Sequence, residues 1–155
     1  MTELPLVDAT EDDLEGVLKL QYLCYQVEAE RYQAYRLDAL TQTLASLRAD
    51  LAGTTMLVVR LPDGEVVGSV RGRRTADGVH IGRLMVHPRF QRQGLGGRLL
   101  STLEGRMAGA TRFDAFTGHR SEEFLRLYEK AGYHRYREEP VNDLLTLVHL
   151  EKQLP

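Results

Sequence analysis

Apolar residues recur every three or four positions at Leu14, Val17, Leu18, Tyr22 and Tyr25, the spacing of one helix face. Thr10 followed by Asp13 resembles a capping-box start for that helix. After a polar stretch from Glu28 to Gln33, the leucines Leu37, Leu40, Leu44, Leu47 and Leu51 predict a second amphipathic helix that Gly53 can end. The period changes at Thr54. Residues 54–60 and 65–74 are rich in β-branched side chains and flank Leu61-Pro62-Asp63-Gly64, so they predict a β-hairpin. Ala76-Asp77-Gly78 marks a turn into a third strand, Val79 to His87, which Pro88 closes because it lacks the N–H a central strand needs.

The helical period returns after Gly94 with Leu95, Leu99, Leu103 and Met107, and a short apolar run, Phe113 to Thr117, follows. Strand, helix, strand is a βαβ unit, so the strands on either side of the helix are expected to be parallel. Ser121 as N-cap, with Glu122 and Glu123 in the first turn, predicts another helix ending at Ala131-Gly132. Two strand-like stretches, Tyr133 to Glu139 and Leu144 to Leu150, complete the order ααβββαβαββ. That is an α/β fold on a mixed sheet.

Composition narrows the class. With 155 residues, 43% hydrophobic and 27% charged, the chain suits one globular domain that buries about two thirds of its unfolded surface without metal or disulfide staples. Its single cysteine, Cys24, can form neither an internal disulfide nor a CxxC site, which points to a reducing, cytoplasmic setting. Net charge is −2 and the arginines are scattered, so no basic stripe suggests nucleic acid as a partner. Met1 to Thr10 carries Glu3, Pro5 and Asp8 where a signal peptide would need a basic start and an apolar run. No apolar stretch approaches the ~20 residues of a membrane helix.

The chemistry concentrates between Met85 and Leu100. A strand ends at Pro88, a short loop carries Arg89, Gln91, Arg92 and Gln93, and Gly94, Gly96 and Gly97 open a helix. A helix N-terminus presents unpaired N–H groups and the positive end of the helix dipole, so it can hold an anionic oxygen cluster such as a pyrophosphate. Glycines let phosphates approach the main chain, and Arg89, Arg92 and Arg98 can add charge. Three glycines in four positions cost a helix roughly 1 kcal/mol each, which calls for a compensating role. Neither GxxxxGK[ST] nor GxGxxG is present.

Gln91-Arg92-Gln93-Gly94-Leu95-Gly96 instead resembles the Q/R-x-x-G-x-G/A loop of the GNAT superfamily, the acyl-CoA-dependent N-acyltransferases. The element order is similar almost from end to end, and Leu127-Tyr128-Glu129-Lys130-Ala131-Gly132-Tyr133 resembles the family's LYEKxGF signature. The resemblance implies one N-acetyltransferase domain over residues 1–155, with a mostly antiparallel mixed sheet whose fourth and fifth strands are parallel and splay apart around the pantetheine arm. It implies acetyl-CoA as co-substrate and no metal. The backbone of Leu84, Met85 and Val86 would pair with the pantetheine. Gln91, Arg92, Gln93, Gly94, Leu95, Gly96 and Gly97, with Arg98, would receive the pyrophosphate.

Tyr128 matches the tyrosine that many members place beside the CoA sulfur as general acid; a phenol of pKa ≈ 10 stays protonated at neutral pH. As an aromatic at i+4 from Phe124 it also suits a core position. Relatives often carry a Glu base on the fourth strand, but Val79 to His87 has no acid and Arg83 stands where one is expected. His80 is the nearest substitute base, followed by His87 and His119, with Glu28 or Glu30 reaching from the first helix. Ser121 replaces the Asn that contacts pantetheine in many members, and a CoA contact is a second role for it beside helix capping. Thr117-Gly118-His119-Arg120-Ser121 offers no basis for choosing a substrate.

The acceptor pocket in such enzymes lies by the first two helices and the last two strands. Tyr22, Tyr25, Tyr32 and Tyr35, with Glu28, Glu30, Arg31 and Arg36, suit a cationic amine there, although each tyrosine could equally serve as core or surface cover. The expected activity is direct transfer of acetyl to a primary amine, of a small molecule ahead of a protein N-terminus or lysine. A catalytically inactive acyl-CoA sensor module stays open as the alternative. The terminal strands offer an edge through which a homodimer could form.

Overall fold

The computed structural model describes residues 4–155, so the reading of the N-terminus rests in part on Met1 to Glu3, which lie outside the described residues. In chain order the elements are β1 (Leu6–Asp8), α1 (Leu14–Tyr32), α2 (Asp38–Thr41), α3 (Leu44–Gly53), β2 (Thr55–Arg60), β3 (Val66–Thr75), β4 (Gly78–Val86), α4 (Leu95–Arg106), β5 (Arg112–Gly118), α5 (Glu122–Lys130), β6 (His134–Pro140) and β7 (Thr146–Gln153). The strands form one sheet in the order β1-β2-β3-β4-β5-β7-β6. Its pairings are antiparallel except for β4 with β5, the parallel pair that the βαβ pattern predicts.

Alternation along the strands divides the core between the two faces. Leu57 and Val59 of β2 point to the face covered by α4 and α5, where Leu99, Leu103 and Leu125 are at most 3% exposed. Met56 and Val58 point to the other face, against Leu14, Val17 and Leu20 of α1 and Leu47 of α3. Each such aliphatic side chain contributes about 1.5–3 kcal/mol on burial, so the sheet is anchored from both sides. The 61–64 turn forms as predicted. Gly64 takes φ +94°, its N–H donates to the Leu61 carbonyl, and the Asp63 carboxylate accepts the Glu65 N–H.

Parallel pairing of β4 with β5 is confined to Val79 with Phe113 and His80 with Asp114. Beyond His80 the two strands part. A β-bulge on β4 accompanies the parting: Ser69 pairs with Met85 but Arg71 with Gly82, so Arg83 and Leu84 oppose a single β3 residue, and Arg83 adopts φ +52°.

The structure departs from the sequence pattern at four places. β1 precedes the first helix and was not predicted, being only three residues long. The polar stretch from Glu28 is helical, because α1 runs on to Tyr32 and ends at Gln33 in the left-handed region. The leucine-rich second helix is two pieces, broken where Gln42 is extended and Thr43 caps α3 by accepting the Ser46 N–H at 3.1 Å. Finally, β7 inserts between β5 and β6.

Candidate active site

At the C-terminal end of β4 the chain turns through residues 88–90 and reaches α4, whose N-cap Gly94 sits at φ +80°. Only glycine takes that conformation without penalty, so the turn into the helix depends on it. The N–H groups of residues 91–97 meet no acceptor among the described residues, and the first return bond of α4 is Arg98 N–H to the Gly94 carbonyl. This is a row of main-chain donors at the positive end of a helix, suited to a phosphate.

The glycines differ in purpose. A Cβ at Gly94 or Gly97 would meet open space, whereas one at Gly96 would stand 2.7 Å from Leu127 Cδ2. Gly96 therefore lets α4 approach α5, and its missing side chain makes room for Leu127 where the sequence suggested room for phosphate. The cations also divide. Arg92 is exposed, at φ +64°. Arg89 pairs with Glu65 at 3.4 Å and Arg98 donates to the Leu4 carbonyl at 3.2 Å. Gln91 donates to the Val86 carbonyl at 3.0 Å, while Gln93 bonds the Arg89 carbonyl.

Past the bulge, Met85 and Val86 pair with β3 and with no residue of β5, while the Val86 carbonyl accepts from the Gln91 side-chain amide and from Cys24 Sγ. Leu84 and Met85 bury their side chains on opposite faces, leaving main chain along this edge. Where the strands part, a cavity of about 290 Å³ opens, walled by α1, the α2 region, β4, β5, α5 and the start of β7. Its lining includes His80, Arg83, Tyr25, Glu28, Phe116 and Tyr128.

Of the candidate bases, the structure brings His80 and Glu28 to the cavity and leaves the others elsewhere. His80 Nδ1 lies 2.6 Å from Asp114 Oδ1, and Asp114 is itself held by Arg112 at 3.1 Å. A carboxylate only accepts, so Nδ1 is the donor to Asp114, and in the neutral ring the lone pair lies on Nε2. The ring packs 5.5 Å from Phe116, which fixes its plane. His87 Nδ1 accepts the Arg89 N–H within its own turn, and His119 Nδ1 accepts the Thr146 N–H, tying the end of β5 to the start of β7. Glu30 faces solvent. Asp114 is the partner that sequence reasoning missed; its parallel pairing opposite His80 was not readable from spacing.

Tyr128 is 3% exposed and lines the cavity while its ring packs edge-on to Tyr133 at 5.5 Å. Burial raises its phenol well above the ordinary range, so it holds its proton at neutral pH. Core residue and cavity wall are thus the same side chain. Tyr25 and Tyr32 of the aromatic group also line the cavity, whereas Tyr22 and Tyr35 are exposed.

Ser121 does stand at the N-cap of α5, but its hydroxyl caps nothing there. Fully buried, it donates to Glu28 Oε2 at 2.6 Å and receives the Tyr32 hydroxyl at 2.8 Å, while Tyr32 accepts the Arg120 N–H at 2.8 Å. The physical reason is the extra turn of α1. Tyr25, Glu28 and Tyr32 share one helix face, and that face meets the 117–121 segment. Burial raises the Glu28 carboxyl, opposed by the Ser121 hydrogen bond and the Arg31 guanidinium 3.1 Å away.

A splayed parallel pair with a donor-rich helix start at one end and a walled cavity at the other defines an acyl-CoA transferase class of site. The Acetyltransferase (GNAT) domain family matches residues 25–154, and the chain belongs to that family. No curated protein sequence matches it. Solved structures share the fold at low identity. A phosphinothricin acetyltransferase from Sinorhizobium meliloti in complex with acetyl-CoA has TM-score 0.79 at 18% identity, over 99% of this chain and 89% of that one. The PaiA N-acetyltransferase of Thermoplasma acidophilum in complex with coenzyme A has TM-score 0.79 at 14%, over 98% and 99%. A ribosomal-protein-alanine N-acetyltransferase from Brucella melitensis has TM-score 0.77 at 20%, over 97% and 100%. Among the described residues no helix is long and apolar enough to cross a membrane.

Proposed function

We propose that this chain transfers the acetyl group of acetyl-CoA to a primary amine of a small molecule, by direct attack. The observation that carries the reading is the cavity at the parting of β4 and β5, where His80, oriented by Asp114, and the protonated Tyr128 share one lining. The residues present fit acetyl-CoA. The free N–H groups of 91–97 would hold the pyrophosphate, the backbone of Leu84, Met85 and Val86, which no residue of β5 pairs with, would meet the pantetheine, and a Cβ-free Gly94 and Gly97 leave room.

Acetyl-CoA supplies a thioester carbon open to attack; the amine nitrogen forms the new C–N bond as the C–S bond breaks. His80 takes the proton the amine must lose, directly or through water, and Tyr128 gives one to the departing sulfur. Ser121 is held by Glu28 and Tyr32, so its role is to fix the wall and not to reach the co-substrate. Cys24 supports direct attack over a covalent route. Burial pushes its thiol up to about 11, and its Sγ points at the Val86 carbonyl 3.6 Å away, so almost no thiolate exists at neutral pH.

The cavity volume and its cover by residues 37–39 and Leu145 favour a small acceptor over a protein terminus. The His80 and Asp114 pair offers a base where β4 carries no acid, which favours turnover over a sensor module. Release of free thiol from acetyl-CoA across amines, amino acids, polyamines and peptides tests the reading. Release with small amines is expected; turnover with peptides alone, or CoA binding with no release, would sink it.

A further inference from the structure

Arg83 is unusual in having a place on the cavity wall and no anion to pair with. The residue stands at the β4 bulge in the left-handed region, a conformation unfavourable for a non-glycine residue, and it lines the cavity. The guanidinium lies over the Tyr25 ring at 5.6 Å, and its Nε is buried without a hydrogen-bond partner. No carboxylate of the described residues forms an ion pair with it. The neighbouring cation, Arg71, also has a buried Nε without a partner, but it has an anion: it pairs with Asp50 at 3.1 Å and donates to Gln21 Oε1 at 2.6 Å. Burial lowers Arg71 to about 10, and the charge of Arg83 adds to the lowering. One positive charge beside the cavity is therefore left over.

Arg83 is half-buried, with its Nε buried and unpartnered, and a planar fork of N–H donors matches a carboxylate best. On another wall, Glu28 presents the opposite charge, and Tyr25 feels both groups. The phosphates of a nucleotide are an unsuitable partner, because the donor-rich loop that would receive them lies beyond Val86, at the far end of β4.

We propose that the acceptor is an amine that also carries a carboxylate, an amino acid or close analogue, with Arg83 holding the carboxylate and Glu28 and His80 on the side of the amino group. The amine part rests on the acetyl-transfer reading; the carboxylate site stands on Arg83 alone. It replaces the simple cationic amine that the aromatic and acidic residues suggest by themselves, since a plain amine would leave Arg83 unmatched.

Calorimetric titration of the CoA-saturated protein with the twenty common amino acids, each paired with its amine lacking the carboxylate, tests this. At least one amino acid should bind tenfold or more tightly than its amine. Arg83→Gln should erase that advantage, as should Arg83→Gly, which suits the left-handed backbone; Arg83→Lys should keep part of it. Unchanged CoA affinity in each variant reports an intact fold. The proposal is overturned if amines bind as tightly as amino acids, if the advantage survives Arg83→Gln and Arg83→Gly, or if no amino acid binds. Thiol release from acetyl-CoA with the bound amino acid separates the two readings: binding that depends on Arg83 without release keeps the carboxylate site and removes the transferase.

Discussion

At the α4 end of the gap between β4 and β5 the surface offered to a ligand is main chain, and at the α1 end it is side chain. The first is a run of N–H groups from consecutive residues, 91–97, which need one left-handed glycine and a helix start and little else. The second takes His80 from β4, Asp114 from β5, Glu28 from α1 and Tyr128 from α5. In the proposed function, the main-chain donors would recognise what every acyl-CoA has in common. Side chains gathered from several elements can be exchanged one at a time, so in the proposed function this end would set acceptor choice.

Mutations can break the contrast. Gly94→Asp should weaken CoA binding about a hundredfold or more, because it adds a negative charge to the donor row and strains φ +80°; calorimetry with CoA reads it. Unchanged affinity would remove the loop from the site. Tyr128→Phe and His80→Ala belong to the other end. Each should lower kcat by about a hundredfold with CoA affinity kept, by the usual size of a proton-transfer contribution. A Tyr128→Phe enzyme of full activity would make that ring a core residue only.

Smaller effects sharpen the distinction within the loop itself. Gly96→Val should cost about 1–3 kcal/mol of stability in urea unfolding, since even its Cβ would press on Leu127. Gly97→Ala should do the reverse. Its added methyl meets open space in a helix, so stability should rise by up to about 1 kcal/mol, and any loss of CoA affinity would report on phosphate access alone.

Much of the fold was legible because it is periodic. The Leu95 to Leu103 stripe, the hairpin around Asp63-Gly64 and the βαβ order each leave a local mark, and each forms. β1 left none, since three residues cannot show a period, and the break at Gln42 hides within an unbroken leucine repeat. That break has a tertiary cause: Gln21, fully buried, donates to the Ala39 carbonyl and to Gln42 Oε1, both at 2.9 Å. Those groups can meet it only if the helix opens there.

The sequence by itself determined the donor loop, the alternation of the strands and the candidates Tyr128 and His80, because all of these follow from neighbours within a few positions. The tertiary structure decided which candidate histidine lines the cavity, that Ser121 serves Glu28 and Tyr32 and not its own helix, and that Arg83 stands without an anion. The first two depend on partners 34 to 93 positions away along the chain, Asp114 for His80 and Glu28 and Tyr32 for Ser121, and the third on a bulge that no local pattern encodes.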